Sequence, residues 1–164
     1  DVCSSDLYKA QFNMKGEVPL DPDFTIPLGK AELKREGKDV TVVTYGRMLE
    51  RVLKAADEVK EAEGVSVEVV DLRTLMPLDK DAVLNSVKKT GRVLLVNDAH
   101  KTGGFIGEIS AMIAESDAFD FLDGRILRLA GEDVPTPYNA KLEAAMIPSV
   151  ERIKKYILKL ANKR

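Results

Sequence analysis

The sequence has few of the residues that build covalent or metal-bound scaffolds. It contains one cysteine, Cys3, and one histidine, His100, in 164 residues. A single cysteine excludes an internal disulfide, and two such residues far apart give no credible zinc site. Tryptophan is absent and aromatic residues make up only 5% of the chain. The core must therefore be built from aliphatic side chains.

Charge and hydrophobic runs exclude further classes of protein. Lys and Arg number 25 against 27 Asp and Glu, and this formal charge of -2 offers no general field for nucleic acid or an anionic membrane. No apolar run approaches the roughly 20 residues that span a bilayer. No signal-peptide pattern opens the chain. Together with the single cysteine, these features predict a cytoplasmic protein that contacts neither nucleic acid nor membrane.

Motifs that mark common active sites are missing as well. No Gly-x-Gly-x-x-Gly segment follows a strand, and there is neither a Walker loop nor a Gly-x-Ser-x-Gly elbow. Ser110 and Ser149 lack a second histidine with which to pair. The sequence therefore predicts a domain without a complete active site.

The clearest local pattern lies near the middle of the chain. Val93–Val96 is a short apolar run, typical of a strand buried on both faces, and Asn97-Asp98 end it. Thr102–Gly104 form a glycine turn, with His100 in the same loop. A helical stripe follows: Phe105, Ile109, Met112 and Ile113. Loops at the carboxyl ends of parallel strands are where open α/β sheets place their binding surfaces.

The rest of the chain alternates strands with helices. Strand patterns occupy 39–46, 65–72 and 125–130, helical patterns occupy 48–62, 79–90 and 149–160, and 116–124 and 131–140 are predicted as loops. This alternation predicts an α/β protein, with a mostly parallel sheet and helices on both of its faces. Lys30–Arg35 could add an edge strand, which the turn at Gly37 would pair antiparallel with residues 39–46.

The first residues differ from the rest. Residues 1–28 carry little periodic pattern and include Pro19, Pro22 and Pro27, so they predict an arm or linker before a domain at 29–164. Residues 1–6 look foreign to the protein.

Several positions allow both a functional and a structural interpretation. His100 could donate a proton or face another subunit. Because the sequence implies no partner acid or base beside it, the interpretation as an ordinary polar loop residue is favoured. Thr102–Gly104 could bind an anion, but only Lys101 is basic nearby, so close contact between helices or chains is favoured. Arg73 could reach a carboxylate or phosphate, or form a structural salt bridge. Tyr138 is expected to be a half-buried anchor rather than a partner contact.

Eight segments, taken in order, carry a resemblance to a known family. They are Val18-Pro19, Ile26–Ala31, Gly37–Gly46, Asp71–Asp79, His100–Phe105, Glu108-Ile109, Arg128–Pro137 and Ile147-Pro148. Together they resemble the C-terminal domain of the transketolase superfamily, most closely in the beta subunit of thiamine-diphosphate-dependent 2-oxoacid dehydrogenases. The resemblance begins near Leu7, where Leu7–Lys9 is similar to the end of a preceding pyrimidine-binding domain. Asn97-Asp98 and Ile106-Gly107 depart from the family pattern.

The resemblance implies a three-layer α/β/α sandwich inside a larger α2β2 enzyme. That enzyme would decarboxylate a 2-oxoacid on thiamine diphosphate and magnesium, then acylate a lipoyl group. The cofactor and magnesium would bind the alpha chain and the activating glutamate would lie in the preceding beta-chain domain, so this chain alone would bind neither and would be inactive.

For this chain, the resemblance implies a role in assembly. It would contact the alpha subunit and a second beta subunit, and dock the subunit-binding domain of the dihydrolipoyl acyltransferase. The candidate interface residues are Arg73, His100, Thr102, Gly103, Gly104 and Phe105.

Two alternatives stay open. The chain could be the C-terminal domain of a transketolase or deoxyxylulose-phosphate synthase, in which Arg73 would contact a sugar phosphate, although His100–Phe105 argues against this. It could also be a non-catalytic α/β protein-interaction module. The sequence does not choose between pyruvate, a branched-chain oxoacid and acetoin as the substrate of a full enzyme.

Overall fold

Five strands and six helices are arranged around one mixed sheet in the computed structural model, which describes residue 11 and residues 15–17 and 19–161. In chain order these elements are β1 Glu32–Arg35, β2 Val40–Thr44, α1 Met48–Glu63, β3 Val67–Asp71, α2 Lys80–Thr90, β4 Val93–His100, α3 Ile106–Ala114, a 3-10 helix Asp117–Phe121, β5 Leu127–Gly131, α4 Ala140–Met146 and α5 Val150–Ala161. The predictions made for Cys3 and Leu7–Lys9 lie outside the described residues.

The sheet has the strand order β1-β3-β2-β4-β5. β2 is parallel to β3 and β4, β4 is parallel to β5, and β1 alone is antiparallel to its neighbour. The predicted α/β class, with a mostly parallel sheet and one antiparallel edge strand, is therefore confirmed.

The partner predicted for the edge strand is wrong, because β1 pairs with β3 rather than with β2. Both edges of β2 are already occupied, by β3 and by β4. The turn at Gly37 does not close a hairpin but passes against β3, where its amide N donates to the Glu68 carboxylate at 3.1 Å. A Cβ at Gly37 would lie 2.1 Å from the Glu68 amide N, so this crossing needs glycine.

The two central helices begin and end where the sequence predicted. The buried residues of α1 are Met48, Val52, Ala55, Ala56 and Val59, which form one face of the helix. Gly64 ends it with a φ of 70°, a backbone conformation that glycine adopts without strain. Asp79 caps α2 by accepting a hydrogen bond from the Ala82 amide at 3.2 Å, and Gly91 ends that helix.

Helices cover both faces of the sheet, which gives three layers. On one face, α1 and α5 pack over strand residues that include Val42, Leu94 and Leu129. On the other face, α2 and α3 pack over residues that include Val43 and Leu95. Because the central strands are buried on both faces, their Val-rich sequences show no polar alternation.

One carboxylate lies inside this apolar frame. Glu68 of β3 is 2% exposed and accepts hydrogen bonds from the Ser86 hydroxyl at 2.6 Å and from the Gly37 amide. Lys89 of α2 forms an ion pair with it from the surface, and this hydrogen bond raises the pKa of Lys89. The buried charge is thus satisfied by three donors, two from α2 and one from the turn at Gly37.

Three local predictions were wrong. The predicted loop at 116–124 contains the 3-10 helix, which Ser116 caps by accepting from the Ala118 amide. The short helix α4 was not expected, although Asn139 marks its start by accepting from the amides of Lys141 and Leu142. His100 is the last residue of β4 and not part of a loop, because the strand continues past Asn97 to pair with Gly131.

Candidate association surface at the carboxyl ends of the strands

The segments that follow β2, β4 and β5 meet at one end of the sheet because these strands are parallel neighbours. Arg47, just after β2, forms an ion pair with Asp98 of β4. Its guanidinium also lies 3.9 Å from a carboxylate oxygen of Glu143 in α4. This arginine therefore links the ends of two strands to the helix that the sequence did not reveal.

Thr102 and His100 connect the glycine segment, Thr102–Gly104, to the residues that follow β5 through hydrogen bonds. The Thr102 amide and hydroxyl donate to the two carboxylate oxygens of Asp133, at 2.9 and 2.7 Å. These bonds, the amide bond first, lower the pKa of Asp133. His100 Nε2 lies 2.9 Å from the Val134 carbonyl oxygen. An aspartate of the same chain thus occupies the donors that the sequence suggested for an anion.

The two glycines of this segment have different reasons to be glycine. Gly103 has a φ of 72°, and nothing lies within 4 Å of a Cβ placed there. A Cβ at Gly104 would lie 2.2 Å from the carbonyl oxygen of His100. The close approach expected between helices or chains is found here within one chain. Phe105 follows at the start of α3 and packs, partly buried, against the core.

Arg73 is separated from this segment by the sheet itself. It follows β3, on the β1 side of β2, whereas residues 100–105 follow β4 on the other side. Its guanidinium forms an ion pair with Glu32 of β1, and its amide donates to Asp71 at 3.2 Å. Of the two interpretations of Arg73, this geometry supports the structural salt bridge.

A buried polar pair lies beneath the surface. Asn97 is fully buried, and its Nδ2 donates to the Tyr45 hydroxyl at 3.0 Å. Its Oδ1 has no hydrogen-bond partner among the residues that the structure describes. Burial raises the pKa of Tyr45, with the Asn97 hydrogen bond acting in the opposite direction. Neither residue was a candidate from the sequence, where the change from the apolar Val93–Val96 to Asn97 was the available signal.

Exposed apolar side chains border the same end of the sheet. Tyr138 is fully exposed, so the prediction of a half-buried anchor is wrong. Val134 and Leu142 are also largely exposed, at 48% and 60%. Tyr138 follows Pro135 and Pro137 in the exposed segment between β5 and α4. The surface formed by Val134, Tyr138 and Leu142 is called the α4 patch below.

The described residues do not form the ligand set of a metal-bound cofactor. No group of three or more His, Cys, Asp or Glu residues is placed among them to hold a metal ion. The carboxylate ligands that a magnesium diphosphate group needs are therefore not brought together by these residues. None of the described helices combines the length and the apolar character needed to cross a bilayer.

Comparison with known proteins identifies relatives over most of the chain. The beta subunit of 2-oxoisovalerate dehydrogenase from Bacillus subtilis is 45% identical over 150 residues, which is 91% of this chain and 45% of that protein. The mitochondrial pyruvate dehydrogenase E1 component subunit beta of Caenorhabditis elegans is 44% identical over 95% of this chain and 44% of its own length. The beta subunit of an acetoin:2,6-dichlorophenolindophenol oxidoreductase of B. subtilis is 40% identical over 93% of this chain. The chain spans less than half the length of these relatives.

A solved structure and a family model agree with this result. A chain described as a split gene transketolase, an inactive beta4 tetramer, superposes with a TM-score of 0.72 at 26% identity, covering 88% of this chain and 45% of that one. The family model for the transketolase C-terminal domain matches residues 29–153. The chain belongs to the transketolase C-terminal domain family.

Proposed function

We propose that this chain is the assembly region of the beta subunit of a thiamine-diphosphate-dependent 2-oxoacid dehydrogenase. The observation that carries the proposal is the 40 to 45% identity, over at least nine-tenths of the chain, to the beta subunits of two 2-oxoacid dehydrogenases and of an acetoin oxidoreductase. In the full enzyme, oxidative decarboxylation would occur at residues of other domains. This chain would contact the alpha subunit and a second beta subunit and would dock the subunit-binding domain of the acyltransferase.

The geometry at the carboxyl ends of the strands supports a role in contact rather than in catalysis. The α4 patch presents exposed apolar side chains. The salt bridges of Arg47 and the hydrogen bonds of Thr102 to Asp133 fix the segments beside it. A fixed surface with an exposed tyrosine loses little conformational entropy on binding, which favours association. Of the candidate residues, His100, Thr102, Gly103, Gly104 and Phe105 belong to this surface, and Arg73 would lie at a separate contact.

The proposal is tested by measuring association with purified partners. The chain is titrated with an alpha subunit of a 2-oxoacid dehydrogenase, and separately with the acyltransferase subunit-binding domain, in sedimentation-velocity experiments. The substitutions Tyr138→Ser and Leu142→Ser together are expected to weaken at least one association by about tenfold or more. Phe119→Ser, which removes another exposed apolar side chain, on the 3-10 helix outside the proposed contacts, is the matched control. No binding to either partner would contradict the proposal.

The expected lack of cofactor binding has its own test. Calorimetric titration with thiamine diphosphate and magnesium should give no tight 1:1 binding to the isolated chain. Tight binding would show that this chain itself contains a cofactor site and would contradict the proposal that the cofactor binds to other parts of the enzyme.

A second candidate is the C-terminal domain of a transketolase whose gene is split. The superposition on the split gene transketolase favours it. Its 26% identity is well below the 44 to 45% found for the two dehydrogenase subunits. Reconstitution with each type of partner subunit, followed by assays for 2-oxoacid decarboxylation and for ketol transfer, separates the two.

A further inference from the structure

A polar cleft of about 150 Å³ follows the outer edge of β5. Helix α5 borders one side of it and the segment after β4 borders the other, and its charged lining residues are Lys101, Arg128, Arg152, Glu132 and Asp133. A water molecule needs only about 10–15 Å³ of such space, so the cleft has room for a group of several heavy atoms.

Backbone groups of β5 contribute to this cleft. β5 is an end strand of the sheet, and its inner side pairs with β4, as in the bond from the Lys101 amide to the Gly131 carbonyl at 3.2 Å. The Glu132 amide points the other way and donates to the Met146 carbonyl at 3.0 Å. Because successive residues of a strand alternate in direction, the backbone groups of Ala130 and Arg128 face the same outer side as that of Glu132. They are thus placed along the cleft.

The charges of the cleft are unevenly matched. Arg152 donates to Glu132 at 2.7 Å, and the Asp133 carboxylate is held by Thr102. Arg128 donates only to the Lys101 carbonyl oxygen, at 3.4 Å, and within the described residues it takes part in no ion pair. Lys101 likewise has no ion pair there. Two cations therefore face the cleft without a carboxylate of their own.

We propose that this cleft binds a phosphate-sized oxyanion, either free phosphate or the phosphoryl group of a small phosphomonoester. The Arg128 guanidinium supplies a planar set of N–H donors that suits phosphate, with Lys101 adding charge. Arg152 holds the Glu132 carboxylate, which shows that the cleft already accommodates one oxyanion group. An added peptide strand fits less well, because the bond from the Glu132 amide to the Met146 carbonyl already occupies the next outward-facing position after Ala130. This proposal does not rest on the proposed role in assembly.

The test is a titration with inorganic phosphate at constant ionic strength, followed through amide chemical shifts of the full chain. The shifts should saturate and be centred on Lys101, Ala130 and Gly131. Arg128→Gln should weaken binding about tenfold or more, since it removes a charge-assisted donor. Lys101→Gln, on the exposed side of the cleft, should weaken it by a smaller factor. Glu132→Gln should strengthen binding severalfold, because it removes a competing carboxylate and leaves Arg152 available.

Controls separate this site from general attraction to surface lysines. Lys60→Gln, at an exposed position on α1, should leave the phosphate affinity unchanged. A parallel titration with glycerol 3-phosphate distinguishes the two sources of the anion. Saturable binding of either compound at these amides supports the proposal, and the ratio of their affinities identifies the preferred one. Shifts that do not saturate, or an affinity that Arg128→Gln and Lys101→Gln leave unchanged in otherwise folded protein, would overturn it.

Discussion

Thr102 and Asp133 are joined by two hydrogen bonds, which tie the segment after β4 to the segment after β5. The two residues are 31 positions apart in the sequence, yet the Thr102 amide and hydroxyl each reach a different carboxylate oxygen of Asp133. The geometry of the glycine segment therefore depends on a residue beyond the next strand.

This contact predicts a pH dependence. The pKa of Asp133 is lowered in the folded protein, so folding favours its charged form. The resulting stability is fully present above the pKa that Asp133 has in the unfolded chain. It is lost as the pH falls through the lower pKa of Asp133 in the folded protein. We expect the Thr102–Asp133 contact to open only below the ordinary pKa of an aspartate, as the pH falls through the lowered pKa of Asp133. Thr102→Val should raise the pKa of Asp133 toward its ordinary value, measured by carboxylate NMR titration. Thr136→Val, in the adjoining exposed segment, should leave it unchanged.

Gly104 should tolerate substitution much less well than a glycine in open space. The Cβ of Gly104→Ala would meet the His100 carbonyl oxygen, and we expect a loss of about 2–3 kcal/mol in the free energy of unfolding. Gly103→Ala should cost about 1–2 kcal/mol, since only its positive φ is unfavourable for alanine. Gly124→Ala has neither difficulty and serves as the control. If urea denaturation gave the same free energy of unfolding for Gly104→Ala and Gly124→Ala, the close contact at Gly104 would be contradicted.

The buried carboxylate of Glu68 should contribute far more stability than its surface partner. Glu68→Ala would leave the Ser86 hydroxyl and the Gly37 amide without their acceptor, and we expect it to lower the free energy of unfolding by about 3 kcal/mol. Lys89→Ala should cost much less, because the Lys89 side chain is 47% exposed and water replaces part of the interaction. Chemical denaturation of both variants provides the comparison, and equal losses would show that the ion pair dominates instead.

Removal of the Tyr45 hydroxyl should also be costly. In Tyr45→Phe, the buried Asn97 amide would lose its hydrogen bond to the Tyr45 hydroxyl, while its Oδ1 already finds no partner among the described residues. We expect a loss of about 1–2 kcal/mol in the free energy of unfolding. Tyr156→Phe, at a partly buried position whose hydroxyl has no such bond to a described residue, should change it by less than about 0.5 kcal/mol. If the two variants had the same midpoint temperature in thermal denaturation, the result would argue against the Tyr45–Asn97 contact.

Elements with a complete local signal were predictable from the sequence. Helix α1 combines an apolar face with a glycine that ends it, and α2 begins at a capping aspartate and ends at Gly91. These features act within a few residues of the chain, so periodicity and capping are sufficient to find them. The Val-rich strands were found for the same reason.

Features set by distant segments were not predictable in this way. The partner of β1 depends on β2 having both edges occupied, which no pattern around Gly37 shows. Helix α4 is only seven residues long and follows two prolines, although Asn139 and the alanines after it were a usable signal. The candidate segment at 100–105 was located correctly at a strand end, but its contacts with Asp133 and Val134 come from beyond the next strand.

Helix α5 follows all five strands in the chain and completes the core on one face of the sheet. Its Ile153, Ile157 and Leu160 cover strand residues that α1 alone leaves partly uncovered. During synthesis from the amino end, that face therefore stays open to the solvent until residues 150–161 have been made. A nascent or truncated chain that stops before Val150 would display an apolar surface suited to chaperone capture, and its yield as folded protein should fall accordingly.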